Sequence, residues 1–187
     1  KKQHGETVGT IQIKSSLLKG IKVNKKIIPN IIDEVPILMI AASFANGETF
    51  FPNLEELRIK ESDRLLAMEN NLKKIGITTK RKNNDMTILG LGEEFYSNKL
   101  ITIDSYKDHR IALSFAILAM VSTKRILIKD FDSANVSYPS FLNDIQKIKN
   151  KKFKQIVIGM DGPVGSGKTS VAKYAVSKIK NSLFLDS

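Results

Sequence analysis

SDRLLAMENNLKKIGITTKRKNNDMTIL, residues 62–89, decides the fold class of this chain. Ser62 or Asp63 can cap a helix, because a short side-chain oxygen accepts from an amide left free in the first turn. Leu65, Met68, Leu72 and Ile75 then recur at helical spacing, which gives the helix one apolar face. Gly76 follows the last apolar residue, where a left-handed residue ends a helix most easily. Beyond it, Ile77–Lys80 and Met86–Leu89 read as two strands, with Lys82-Asn83-Asn84-Asp85 as the turn between them. A helix running straight into a hairpin points to helices layered on a sheet.

Outward from that stretch the alternation continues. Val8–Lys14 has the pattern of a strand, and Ile31–Ala45 is apolar enough for a buried helix with Asp33 at its start and Asn46-Gly47 closing it. Glu48–Phe51 reads as a short strand. Downstream come a strand at Leu100–Ile103, a helix at Asp108–Val121, a strand at Arg125–Lys129 and a helix at Pro139–Ile148. The fold class expected is α/β, or α+β, with mixed sheets. The run KIKNKKFK, Lys147–Lys154, has no apolar period, so residues 1–150 are expected to form one domain, 151–155 a linker, and 156–187 a separate start.

The composition, 42% hydrophobic and 26% charged, is that of globular material. No apolar run approaches the roughly 20 residues that cross a bilayer, and the first ten residues lack a signal-peptide core. The absence of Cys suits a cytoplasmic protein. The chain opens on Lys1 rather than Met, which suggests a piece of a longer polypeptide. A net charge of +11 raises the possibility of nucleic-acid binding. Only five of the 30 basic residues are Arg, however, and the Lys are scattered. Solvated surface and attraction for phosphorylated small molecules account for them better. Neither a nucleic-acid nor a membrane partner is expected.

Three short motifs can carry chemistry. In LRIKESDR, Leu57–Arg64, Lys60 and Glu61 precede a helix start and Arg64 lies in its first turn. Free amides at a helix N-terminus favour anions, so this is either a phosphate or carboxylate clamp with an acid beside it, or a surface ion network of Glu61 with Arg64. Asp108-His109-Arg110 opens another helix. Asp108 is an ordinary cap residue there, His109 is equally suited to a structural hydrogen bond, and Arg110 tips the site towards anions. Asp33-Glu34-Val35-Pro36 starts the first helix, where Asp33 is a cap or, in its apolar setting, a base.

Taken together, Asp33-Glu34-Val35-Pro36, Glu55–Arg64 (EELRIKESDR), Asp108-His109-Arg110 and Val136-Ser137-Tyr138-Pro139 come in the order and spacing of the 5-enolpyruvylshikimate-3-phosphate synthase family. KSSLLKG and EELRIKESDR resemble its glyphosate-tolerant bacterial class, and the likeness covers about residues 1–150, part of the C-terminal domain. The related enolpyruvyl transferase of peptidoglycan synthesis lacks the KESDR and DHR pairing. The resemblance implies βαβαββ units, with helices enclosed by sheets. It implies transfer of an enolpyruvyl group from phosphoenolpyruvate to the 5-hydroxyl of shikimate 3-phosphate in aromatic amino acid biosynthesis, with no metal or redox cofactor. By motif, Asp33 looks like the proton acceptor that also holds shikimate hydroxyls. Lys60 resembles the shikimate 3-phosphate ligand, and Glu61 a proton donor. Arg64 and Arg110 resemble the phosphoenolpyruvate grip, with His109 next to it. Val136 stands where some members carry Lys, a Lys that members of the tolerant class also lack. The family's active site lies between two domains, so the chain alone is expected to be inactive.

Ile156–Ser187 has its own pattern. Gly162, Gly167, Lys168 and Thr169 satisfy G-x-x-x-x-G-K-[ST] between an apolar strand, Ile156–Ile158, and a helical pattern, Lys168–Ile179. Amides from Gly162 through Gly165, Ser166 and Gly167 would cradle phosphates, Lys168 would reach the β/γ oxygens, and Thr169 would ligate Mg²⁺. GMDGPVGSGKTSVAKYAV followed by FLDS resembles the opening of bacterial cytidylate kinase. A complete kinase portion would take Mg-ATP and phosphorylate CMP. This incomplete P-loop strand-loop-helix is expected not to.

Overall fold

A computed structural model describes residues 16–92, 99–122 and 125–148 with their side chains, and the backbone also at 2–3, 6–7, 149–152 and 184–185. The expected strand Val8–Lys14 and the phosphate-loop residues Gly162, Gly165, Ser166, Gly167, Lys168 and Thr169 lie outside the described residues.

Two short strands, β1 (Lys2–Gln3) and β2 (Glu6–Thr7), pair antiparallel. The buried helix expected over Ile31–Ala45 is divided into α1 (Ile28–Ile31), a 3-10 turn at Ile32–Glu34, and α2 (Val35–Ser43). A proline begins each helical piece, Pro29 in α1 and Pro36 in α2. Proline has no amide to continue a ladder, so each marks a fresh start. The Phe44 amide closes α2 onto the Ala41 and Ala42 carbonyls. Asn46-Gly47 therefore does not close the helix but opens strand β3 (Asn46–Phe51).

A 3-10 turn at Glu55–Ile59 leads to α3 (Arg64–Lys74), whose cap is Asp63 rather than Ser62: its carboxylate accepts from the Leu66 amide at 3.0 Å. Gly76 at φ +86° ends the helix region as expected. Strands β4 (Thr78–Lys82) and β5 (Asp85–Leu91) join in a tighter turn than expected, because Lys82 and Asp85 already pair and Asn83 takes the left-handed conformation. The first sheet runs β3-β5-β4, all antiparallel.

The second sheet is parallel, and its connection is a helix, as a parallel pair requires. Strand β6 (Leu100–Asp104) leads through α4 (His109–Val121) to β7 (Arg125–Lys129), in the register Leu100↔Arg125. A 3-10 helix at Phe131–Val136 precedes α5 (Phe141–Lys152), and β8 (Phe184–Leu185) adds a short parallel pair to β7. The expected helix at Pro139–Ile148 thus starts two residues later, and the charged run read as linker is helical as far as Lys152.

Helix α2 packs on β5 and on α4, α3 packs on both β4 and β6, and α4 packs on β7, so the helices are held between the two sheets. One continuous apolar cluster, including Met39, Leu65, Met68, Ile88, Phe115 and Ile128, runs through these layers. The mixed α/β architecture read from the sequence is the one observed. Among the described residues, no helix is long and apolar enough to cross a membrane.

Candidate active site

The motif residues come from three separated segments and meet at the N-terminal ends of α3 and α4. Asp33 lies on the 3-10 turn before α2, Lys60 and Glu61 lie in the loop entering α3, and Arg64 is the first residue of α3. Asp108 caps α4, accepting from the Arg110 amide at 2.9 Å, and so fixes where His109 and Arg110 begin.

Arg64 joins these pieces. Its Nε donates to Asp108 Oδ2 at 2.8 Å, its Nη1 donates to Asp33 Oδ1 at 2.9 Å, and its Nη2 lies 3.9 Å from Glu61 Oε2. The side chain is only 4% exposed. Asp108 is fully buried and also accepts from the Ser62 hydroxyl at 3.0 Å. Burial pushes the Asp108 carboxyl up, but the hydrogen bond and charge of Arg64, with Ser62 and the Arg110 amide, outweigh it and hold the group below its ordinary value. Arg64, read as half of an anion grip, is turned inward onto carboxylates and acts as the joint of the site.

Around that joint stand the groups open to a ligand. Lys60 Nζ is 2.5 Å from Glu56 Oε1 and 3.5 Å from Asp33 Oδ1. Its pKa lies above the ordinary value, chiefly through the hydrogen bond to Glu56, with burial opposing and the Asp33 charge assisting. Glu61 shares a proton bridge with His109 Nδ1 at 2.8 Å, and Arg110 Nη1 donates to Glu34 Oε1 at 3.0 Å. Asp33 and Arg110 also border a cavity of about 200 Å³ walled by Ile37, Leu113, Ser114, Ile117, Tyr138 and Phe141.

All six residues singled out from the sequence, Asp33, Lys60, Glu61, Arg64, His109 and Arg110, therefore belong to one cluster. Four partners were missed: Asp108, read only as a cap, and Ser62, Glu34 and Glu56. Long-range pairing gives Asp108, Ser62 and Glu34 their roles, and nothing in the local pattern shows it, whereas Glu56 meets Lys60 at a local i,i+4 spacing that could have pointed to it. Ligand atoms of Glu61, Asp108 and His109 come within 4.8 Å of one another. Both Asp108 oxygens already accept from Ser62, Arg64 or the Arg110 amide, and His109 Nδ1 is paired with Glu61 Oε2.

A family model described as EPSP synthase (3-phosphoshikimate 1-carboxyvinyltransferase) matches residues 3–145. A curated 3-phosphoshikimate 1-carboxyvinyltransferase of Clostridium tetani is 46% identical over 140 residues, covering 75% of this chain and 31% of the relative. One from Sulfurihydrogenibium sp. is 44% identical over 144 residues, 77% of this chain and 32% of the relative. A solved EPSP synthase from Acinetobacter baumannii aligns with a TM-score of 0.62 at 32% identity, over 72% of this chain and 30% of that one. The chain spans about a third of the length of the relatives it matches. The matched residues end before the phosphate-loop pattern begins.

Proposed function

The chain belongs to the EPSP synthase (3-phosphoshikimate 1-carboxyvinyltransferase) family, and on that premise we propose that its cluster is part of a site for shikimate 3-phosphate and phosphoenolpyruvate. The observation that carries the reading is the convergence of Asp33, Lys60, Glu61 and Arg110 around the Arg64–Asp108 joint. In the transfer, the 5-hydroxyl oxygen of shikimate 3-phosphate bonds to the substituted alkene carbon of phosphoenolpyruvate. The hydroxyl loses its proton to a base and the methylene carbon gains one from an acid. Loss of a proton from that carbon then expels phosphate.

Asp33 is the base, half-exposed and oriented by Arg64 and Lys60. Glu61 is the acid, aimed by His109 and by the edge of Arg64. Lys60 receives the shikimate phosphate as a point charge, and Arg110 holds a carboxylate or phosphate of phosphoenolpyruvate with its planar fork. The chemistry so written needs positioned acids and bases and charge stabilisation. The substrates are metabolites of the cytoplasm, and we assign the work of the site there.

Calorimetry with shikimate 3-phosphate tests the reading. Binding to the full chain is expected, and Lys60→Ala should weaken it at least about tenfold, the loss of a charge-assisted contact. Equal affinity in the variant would overturn the assignment.

The phosphate-loop sequence supports a second, separate reading, nucleotide binding by the tail through Lys168 and Thr169. Mg-ATP affinity that disappears on Lys168→Ala would favour it. Equal ATP affinity in wild type and variant would remove it.

A further inference from the structure

We propose that Glu34 is an internal competitor for the anion-binding face of Arg110, and thereby sets which anions the site accepts. The inference rests on the reading of Arg110 as a ligand-gripping residue.

Glu34 occupies the cap position of α2 yet makes no capping bond with its side chain. Its carboxylate instead reaches Arg110, 76 residues away, at 3.0 Å. The neighbouring Asp33 carboxylate goes to a different arginine, Arg64. The two arginine pairs differ in kind. Arg64 is 4% exposed and held by the fully buried Asp108, so separating them would leave two charges stranded. Arg110 and Glu34 are 36% and 52% exposed, so water can take over either partner at small cost.

Arg110 also borders the cavity that Asp33 lines. Glu34 takes Nη1 of that guanidinium, so a ligand carboxylate or phosphate that grips the fork through Nη1 must replace it there. A weak monoanion offers no more than Glu34 already does and fails. A dianionic phosphate, or a phosphate and carboxylate on one molecule, offers stronger charge-assisted bonds and succeeds. Glu34 is thus a specificity-determining residue that need not touch the reacting atoms.

The test follows backbone amide shifts of Arg110 and its neighbours in the full chain during titration with inorganic phosphate, phosphoenolpyruvate and acetate. Glu34→Gln keeps the shape at a half-exposed position, and the same spectra report whether the fold is intact. Glu34→Gln should bind phosphate and phosphoenolpyruvate about 3–10-fold tighter, by loss of an exposed ion pair and of a repelling charge. Acetate, held off in wild type, should become detectable at Arg110 in Glu34→Gln. In Glu34→Gln/Arg110→Gln the gain should vanish. Wild-type binding at Arg110 with no tightening, or a weakening, in Glu34→Gln would overturn the competitor role and leave the site reading standing. No shift at Arg110 with phosphate or phosphoenolpyruvate in either chain would overturn both.

Discussion

At the residue scale, Asp108 has more structural consequence than the sequence suggests. It caps α4, accepts from Ser62 and carries the buried charge of Arg64. Asp108→Ala should lower unfolding stability by about 3–5 kcal/mol in chemical denaturation, because Arg64 loses its buried counter-charge. The pH dependence has a definite sign. Since the folded carboxyl titrates below its ordinary 3.8, its contribution is complete above that pH and is lost as pH falls through the folded value. Wild type should therefore lose stability more steeply than Asp108→Ala on acidification below about pH 4. Asp33, Lys60, Glu61 and Arg110 could be singled out as candidates because each lies in a short polar motif at a helix start. The inward turn of Arg64 was not legible, because it depends on a carboxylate 44 residues away.

At the element scale, the α3–β4–β5 stretch was readable because its signals are local: an apolar helical face, a cap, a glycine stop and an Asn turn. The break within Ile31–Ala45 was missed although Pro36 marks it, because the apolar run around it looks continuous. The opening of β3 at Asn46 depends on pairing with Leu91, which local turn chemistry does not reveal. Residues 18–23 run parallel beside β3, bridging at Lys19↔Asn46 and Lys22↔Phe50. Strand β5 on the other side approaches the end of α2 so closely that only glycine fits. A Cβ at Gly90 would lie 2.1 Å from the Ala45 carbonyl oxygen and 2.5 Å from that of Ala42. Gly90→Ala should therefore force backbone apart and cost about 3 kcal/mol, read by thermal or chemical unfolding. If its stability matched wild type, the packing of α2 against the first sheet would be wrong.

At the scale of the whole molecule, the charges divide unevenly. The chain carries +11 overall, yet among the described residues of the site Asp33, Glu34, Glu56, Glu61 and Asp108 face Lys60, Arg64 and Arg110, with His109 against Glu61. The excess of Lys in the chain as a whole can draw in anionic ligands, whereas the three cations among the described residues of the site are too few for the charge of two phosphates and a carboxylate. Shikimate 3-phosphate affinity should consequently fall several-fold as salt rises from about 0.05 to 0.3 M, where the screening length shortens to a few ångströms. The chain alone should release no phosphate from phosphoenolpyruvate in a coupled assay, and measurable turnover would show that the described cations suffice. Whether the three segments converge on one ligand pair is read most directly by amide shift mapping of the full chain with shikimate 3-phosphate and phosphoenolpyruvate together. Shifts concentrated at residues 33–34, 60–64 and 108–110 are expected. Shifts that spare all three segments while saturating elsewhere would contradict that convergence.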